Sequence, residues 1–352
     1  MERRKSRSFY LGSVGIGGDY PVSIQSMTNT DTKDAAKTLA QIEALSKAGC
    51  EIVRVTVPDH EAAESLKEIC VKSPLPVVAD IHFDYHLALE AMDAGVMGLR
   101  INPGNIGGTS KVKAVVEKAK EKQIPIRIGV NSGSVPKDIL AKYDGHPTAM
   151  GLVESAMRHV KILEELDFHD IKISLKSSDV PMMIEAYRII AKMVDYPLHL
   201  GVTEAGNARH GIVKSAVGIG TLLAEGIGDT IRVSLTGDPV EEIGVCKQIL
   251  RSLGLYNKGV ELISCPTCGR TKINLPQMVD IIDKATENIE KPIKIAVMGC
   301  AVNGPGEAKE ADIGLAGGDG LGVIFKKGEI IAKVPEDKLV ETLLNEVEKM
   351  LN

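Results

Sequence analysis

Residues 52–81, IVRVTVPDHEAAESLKEICVKSPLPVVADI, contain the pattern that decides the fold. A short β-branched run, IVRVTV, is followed by a stretch of helical period, EAAESLKEIC, and then by a second apolar run, PVVADI. This alternation predicts a β-α-β unit with two parallel strands. The unit recurs along the chain, with strand-like runs at 22–28, 52–57, 76–81, 98–102, 125–131, 170–176, 197–203 and 230–235.

Eight such units by about residue 255 match the strand number and typical length of a (β/α)8 TIM barrel. A doubly wound open sheet is the alternative α/β fold. That fold usually has fewer strands, and its glycine-rich dinucleotide-binding turn directly follows the first one. The similar segment here, GSVGIGG at 12–18, precedes the first strong strand. The sequence therefore favours the barrel.

Composition disfavours several classes of partner. The 42 Lys and Arg against 47 Asp and Glu give a net charge of −5, which argues against electrostatic binding of nucleic acid or an anionic membrane. No run of 18 apolar residues is present. The basic start, MERRKSRSFYLGSVGIGG, lacks a secretory cleavage site, and we interpret it as a solvated tail. Six cysteines without an export signal indicate a reducing compartment, so we expect a cytoplasmic protein.

The character of the chain changes after GLYNKGVELIS at 254–264. The cysteine motif CPTCGR (265–270) is followed by a predicted helix at about 275–290, a strand in PIKIAVMG (292–299) and a hairpin in GLGVIFKKGEIIAKV (320–334). These features predict two domains, a barrel at 1–256 and a small α+β domain at 257–352. A long excursion inside the barrel, 132–148, is either a lid or a plain surface insertion.

Positive charges interrupt the apolar barrel strands. The cations are Arg54, Arg100, Arg127, Lys172, Lys176 and Arg232. Each buried cation needs an anion, and acids at strand ends, such as Asp80 and Glu204, are too few to neutralise all of them. Successive strands converge at the C-terminal mouth of a barrel, where guanidinium groups suit bidentate capture of phosphate. We therefore expect a phosphorylated small-molecule ligand, with Ser234 as a further donor after the last strand.

Three cysteines have the spacing of a metal centre. Cys265 and Cys268 form a CxxC pair, and Cys300 follows a predicted strand. No fourth thiol is available, and the α+β domain contains no histidine, which disfavours structural zinc without excluding it. Three thiolates and one oxygen ligand suit an iron–sulfur cluster with one open corner, and Glu307 is the nearest candidate oxygen donor.

Nine motifs along essentially the whole chain carry a family resemblance. They are VRVTVPD, ADIHFDY, LRINPGN, IRIGVNSGS, KISLKSSD, GVTEAG, IRVSLTGDP, CPTCGR and MGCAVNGPGEA. Together they closely resemble the 4-hydroxy-3-methylbut-2-enyl diphosphate synthase family in its bacterial two-domain form, an iron–sulfur oxidoreductase family of isoprene biosynthesis.

This resemblance implies a two-electron reductive ring opening of 2-C-methyl-D-erythritol 2,4-cyclodiphosphate, with ferredoxin or flavodoxin as electron donor. It implies a [4Fe-4S] cluster held by Cys265, Cys268, Cys300 and Glu307. It also implies Glu204 as the acid–base carboxylate with Asp80 nearby. The implied diphosphate ligands are Arg54, Arg100, Arg127, Lys176, Arg232 and Ser234.

Barrel topology further predicts a head-to-tail homodimer. The last barrel helix, in 237–255, runs back to the N-terminal face, about 20 Å from the mouth for strands of about six residues. The α+β domain begins there, so we expect a partner chain's cluster to reach the substrate. Two other interpretations stay open. One is a TIM-barrel methyltransferase or aldolase for a phosphorylated substrate, with structural zinc, and the other is a ligand-binding barrel carrying an interaction module.

Overall fold

The computed structural model describes residues 2–300 and 308–351. The chain divides into two compact units, Met1–Leu255 and Tyr256–Asn352. None of the described helices combines the length and the apolarity that crossing a membrane requires.

The first unit is a nearly closed barrel of eight parallel strands, as predicted. A hairpin of β1 (Ser8–Leu11) and β2 (Val14–Gly17) precedes it. The barrel strands are β3 (Ser23–Met27), β4 (Ile52–Thr56), β5 (Val77–Asp80), β6 (Gly98–Ile101), β7 (Ile126–Asn131), β8 (Ile171–Lys176), β9 (His199–Leu200) and β10 (Thr230–Ile231). They are hydrogen-bonded in the order β8-β7-β6-β5-β4-β3-β10-β9. An isolated bridge between Ile173 of β8 and Leu198, the residue before β9, links the two ends of this order.

Helices alternate with the strands and cover the barrel. They are α1 (Ala35–Lys47), α2 (His60–Lys72), α3 (Tyr85–Asp93), α4 (Thr109–Lys122), α5 (Lys137–Leu140), α6 (Ala149–Glu165), α7 (Val180–Met193), α8 (Ala208–Ala224) and α9 (Pro239–Ser252). Several begin at an aspartate cap: Asp59 accepts from the Ala62 amide at 3.0 Å, and Asp179 accepts from the Met182 amide at 2.9 Å. A carboxylate at the positive end of a helix stabilises the turn from strand to helix at the mouth.

The last two barrel strands are shorter than the predicted runs. Both β9 and β10 contain two residues, although the Arg232 amide still donates to the Leu200 carbonyl at 3.0 Å. Thr203, Arg232 and Ser234 therefore sit on segments outside the assigned strands, beyond the point where regular pairing ends.

The basic start of the chain is not a solvated tail, and that prediction was wrong. Arg3 donates to Asp229 at 3.2 Å, and Arg4 donates to the Val194 carbonyl at 2.7 Å. Leu11 and Ile16 of the hairpin are buried with Ile52 and Val78 of the barrel. The hairpin also lines a small cavity at the N-terminal end of the strands. It closes the barrel floor.

Gly17→Ala is expected to loosen this floor. Gly17 has φ of +77°, and a Cβ there would lie 2.1 Å from the Arg7 carbonyl oxygen. The strain of a left-handed alanine costs about 1 kcal/mol, and overpacking costs about 1–3 kcal/mol; both should lower the free energy of unfolding. Gly145→Ala is the control, because Gly145 has φ of +81° and no atom within 4 Å of its Cβ position. Urea unfolding should show a loss about 2 kcal/mol larger for Gly17→Ala; equal losses would contradict this prediction.

In its described residues, 256–300 and 308–351, the second unit is a five-stranded sheet with two helices, the predicted α+β domain. Its elements are β11 (Val260–Ser264), α10 (Leu275–Thr286), β12 (Ile293–Met298), β13 (Ile313–Ala316), β14 (Leu321–Lys326), β15 (Glu329–Pro335) and α11 (Leu339–Leu351). The strands lie in chain order; the first three are parallel and the last two pair antiparallel. Ile282, Ile295 and Leu343 are buried between this sheet and its helices.

Candidate active site

A polar pocket opens where the barrel strands end. It is lined by Arg54, Asp80, His82, Arg100, Arg127, Asn131, Ser174, Lys176, Thr203, Arg232 and Ser234. All six residues predicted to hold a diphosphate line it, and so does Asp80. The pocket thus brings together side chains that are up to 180 residues apart in the sequence, because β4 to β10, or the segments directly after them, contribute at the same end of the barrel.

Asp80 is shared by two pocket arginines. Its Oδ1 accepts a hydrogen bond from Arg100 Nη1 at 3.2 Å, and its Oδ2 lies 3.5 Å from Arg54 Nε. Burial by itself would raise the pKa of Asp80, but Arg54, Arg100 and Arg127 outweigh burial and hold the pKa below its usual range. Asp80 is therefore ionised at neutral pH and acts as a fixed counter-ion for the guanidinium groups.

A second carboxylate, Glu242 on α9, was missed from the sequence. Its Oε2 lies 3.5 Å from Arg232 Nε and accepts from Ser26 Oγ at 3.2 Å. Glu242 is 3% exposed and shares its helix face with buried Cys246 and Ile249. A charged residue on the apolar stripe of an amphipathic helix was the signal available in the sequence.

Three barrel cations have no carboxylate partner within residues 2–300 and 308–351. These are Arg127, Lys172 and Lys176, each less than 9% exposed. Arg127 pairs in register with Arg100 on one side and Lys172 on the other, so like charges sit on neighbouring strands. The two lysines lie at different heights in the barrel: Lys176 lines the pocket, whereas Lys172 lines the floor cavity with Gln25. The pocket thus retains positive charge for an anionic ligand.

The floor lysine predicts a pH dependence of stability. Burial, followed by repulsion from Arg127, lowers the pKa of Lys172 from 10.5 to about 7. Between these two values the unfolded chain binds a proton that the folded chain lacks, so the free energy of unfolding rises with pH. In Lys172→Met we expect the slope across pH 7.5–10 to fall by about 1.4 kcal/mol per pH unit. Urea titrations at several pH values measure it; an unchanged slope would contradict a neutral Lys172.

Several pocket residues were not predicted as site residues. They are His82, Asn131, Ser174 and Thr203. Their positions carried a signal, since Ser174 precedes Lys176 by two residues and Asn131 follows Arg127 by four, the spacing of one face of a strand. His82 Nε2 lies 3.4 Å from Arg100 Nη1. Met27 Sδ, at the end of β3, accepts from Arg54 Nη2 at 2.8 Å and from Arg232 Nη1 at 3.5 Å.

Glu204 lies beside the pocket but does not line it. Its neighbour Thr203 does, and the Glu204 side chain is exposed. Glu204 has φ of +53°, a left-handed conformation that costs a non-glycine residue about 1–2 kcal/mol. Strain of this kind is concentrated at functional sites. Within the described residues Glu204 has no ion-pair partner, so it does not neutralise the pocket cations as the sequence analysis allowed.

The three predicted thiol ligands follow neighbouring parallel strands of the second unit. Cys265 comes directly after β11, and Cys300 comes two residues after the end of β12, with which β11 pairs. The Gly299 amide donates to Cys265 Sγ at 3.2 Å, and the Lys272 amide donates to the Gly299 carbonyl at 2.9 Å. These bonds hold the CPTCGR loop against the end of β12.

All three thiols are free, and the donor set fits an iron–sulfur cluster better than zinc. Three soft thiolates are present, one sulfur already accepts a backbone N–H, and the unit has no histidine. In the part of the chain that the structure describes, no three His, Cys, Asp or Glu side chains converge on a common point. The fourth predicted ligand, Glu307, lies outside the described residues.

Both units match models of one protein family. The GcpE TIM-barrel domain matches residues 6–247, and the GcpE protein C-terminal domain matches residues 261–349. Among solved structures, a type I 3-dehydroquinate dehydratase from Clostridium difficile covers 68% of this chain and 98% of its own, with a TM-score of 0.50 and 15% identity. That likeness concerns the fold alone.

Curated relatives align along the whole chain. The protein from Clostridium perfringens is 62% identical over 348 residues, 99% of each chain. The protein from Geobacter sulfurreducens is 58% identical over 349 residues, again 99% of each. Both carry the name 4-hydroxy-3-methylbut-2-en-1-yl diphosphate synthase (flavodoxin). Two family-model matches and this full-length identity show that the chain belongs to the GcpE family.

Proposed function

We propose that this chain catalyses the two-electron reductive ring opening of 2-C-methyl-D-erythritol 2,4-cyclodiphosphate to 4-hydroxy-3-methylbut-2-enyl diphosphate. The main support is the pocket at the strand ends, in which Arg127 and Lys176 are buried with no carboxylate partner among the described residues. Such a pocket selects a compact anion of more than one charge. The names of the full-length relatives specify which diphosphate product to expect.

The pocket residues divide into ligands and counter-ions in this proposal. The diphosphate is held by Arg54, Arg100, Arg127, Lys176, Arg232 and Ser234. Asp80 and Glu242 orient the arginines that they contact, so that the N–H groups point into the pocket before substrate arrives. Glu204, the exposed neighbour of the pocket residue Thr203, would transfer a proton as the ring opens.

The second unit supplies the redox group in this proposal. Cys265, Cys268 and Cys300, with Glu307, would hold a [4Fe-4S] cluster, which supplies electrons when bound. The Gly299 amide, which already donates to Cys265 Sγ, would stabilise thiolate charge there. Because the relatives are named for flavodoxin, we propose flavodoxin as the electron donor and keep ferredoxin as the alternative.

A head-to-tail homodimer completes the proposal. Helix α9 begins at Pro239 on the mouth side and ends at Ser252, so the barrel unit ends on its N-terminal face. We propose that a second chain's cluster unit serves each pocket. Mixing Glu204→Ala chains with Cys265→Ser chains should restore activity through subunit exchange. No recovery, despite demonstrated exchange, would contradict this arrangement.

Anaerobic turnover tests the chemistry. With a chemical reductant and the cyclic diphosphate, Glu204→Gln should reduce turnover about 10²-fold, because general acid–base catalysis contributes at least that much. Glu64→Gln, an exposed carboxylate on the outer helix α2, is the matched control and should keep full activity. Iron, sulfide and zinc are measured on the same samples. One zinc per chain, with no iron and no turnover, would favour the methyltransferase or aldolase alternative.

A further inference from the structure

The barrel interior carries more positive than negative charge. Only two carboxylates, Asp80 and Glu242, contact the buried cations in the described part of the chain. The titratable and charged groups that face Lys176 come from the other strands, the loop after β5, and α9: Arg54, Asp80, His82, Arg100, Arg127, His199, Arg232 and Glu242. With Lys176 itself, five cations face two anions, and they cannot all stay charged without a ligand unless each bears a large desolvation cost.

Lysine is the group that relieves this excess. Arginine keeps its proton in proteins, whereas a buried lysine readily gives its proton up. Burial, then repulsion from Arg232 and Arg127, lowers the pKa of Lys176 well below its ordinary value. The geometry agrees: Lys176 Nζ lies against the backbone at Gly201, where an added Cβ would be only 2.7 Å away, and no carboxylate is within ion-pair distance among the described residues.

We propose that Lys176 is an uncharged amine in the empty pocket and takes up one proton when the cyclic diphosphate binds. This inference rests on the proposed function. Each phosphate of the substrate is joined into the ring by one ester bond and one anhydride bond, so each carries one charge that does not titrate near neutrality. The bound dianion offsets the surrounding guanidinium charge and stabilises the ammonium form of Lys176. The pocket therefore carries its full positive charge only when a ligand of the right charge is bound.

Calorimetry of binding, without reductant, tests the proton uptake. The oxidised holoenzyme is titrated anaerobically with the cyclic diphosphate at pH 8 in buffers of different ionisation enthalpy. The observed enthalpy should vary with buffer enthalpy with a slope near one proton. Affinity should weaken as the pH rises, by up to tenfold per pH unit. Lys176→Arg, whose side chain stays charged, should bind with about one proton less uptake and little pH dependence.

Two further variants separate the outcomes. Lys172 is also buried on β8, but at the barrel floor, so Lys172→Met should leave the proton uptake on binding unchanged. Gly201→Ala should displace the Lys176 amine and weaken binding of the cyclic diphosphate. Wild-type binding without proton uptake, or equal uptake in Lys176→Arg, would overturn the inference and leave the diphosphate site intact. Absence of wild-type binding at millimolar substrate would instead overturn the proposed function.

Discussion

Arg127→Met is expected to weaken binding of the cyclic diphosphate by about 10³-fold while making the empty protein more stable. Arg127 is 3% exposed, and within the described part of the chain its Nε and Nη1 have no hydrogen-bond partner. Burial, then repulsion from Arg54 and Arg100, lowers the pKa of this guanidinium, as expected for a charge awaiting an anion. Losing one buried, charge-paired contact costs about 2–5 kcal/mol of binding, and 4 kcal/mol corresponds to about 10³-fold.

The gain in stability has a separate cause. Methionine removes buried N–H groups that are unsatisfied in the empty pocket, which should raise the free energy of unfolding by about 1–3 kcal/mol. Lys172→Met is the matched control, because it also removes a buried nitrogen group with no hydrogen-bond partner among the described residues, but it lies outside the pocket. It should gain stability and keep affinity within about threefold. An Arg127→Met protein that binds as tightly as wild type would exclude Arg127 as a phosphate ligand.

Asp80→Asn should have the opposite effect on stability. The amide removes the only carboxylate that Arg54 and Arg100 contact within the described residues. Breaking a buried ion pair by removing one partner costs about 3–5 kcal/mol. Urea unfolding should report that loss, and the cyclic diphosphate should recover part of it by supplying negative charge to both arginines.

Glu204→Gln is the control for Asp80→Asn. Glu204 is exposed and has no ion-pair partner in the described ranges, so its loss should change stability by less than about 0.5 kcal/mol. Acid should reproduce the effect of Asp80→Asn. The pKa of Asp80 in the folded protein lies below 3.8. The contribution of Asp80 to the free energy of unfolding is therefore fully present above pH 3.8, and it is lost as the pH falls through the pKa of the folded protein. Equal stability of Asp80→Asn and wild type would show that water, not Asp80, balances these arginines.

Local pattern in the sequence predicted the strands and the cations on them. β4 to β8 lie within the predicted runs, because a buried parallel strand is a continuous apolar stretch whose exceptions stand out. Period-two spacing could not separate Lys172 from Lys176, since both face the interior. Lys176 is nearer the C-terminal end of β8, but whether it reaches the level of the arginines on neighbouring strands depends on strand tilt and stagger, which are properties of the assembled barrel.

Long-range partners account for what sequence reasoning missed. The arginines near the start of the chain are bound by Asp229 and by carbonyls around 194–196, about 190 to 226 residues away. Glu242 meets Arg232 only because α9 folds back on the barrel. In each case the charge was visible in the sequence, but its counterpart was determined by tertiary packing.

The hairpin across the barrel floor has a consequence for the route of substrate and product. The apolar side chains of Leu11 and Ile16 close one end of the barrel. Among the described residues, the floor of the barrel is thus closed, and a molecule in the pocket enters and leaves at the mouth. Product must dissociate before the next substrate molecule can bind. Accumulated product should therefore inhibit turnover competitively with respect to substrate.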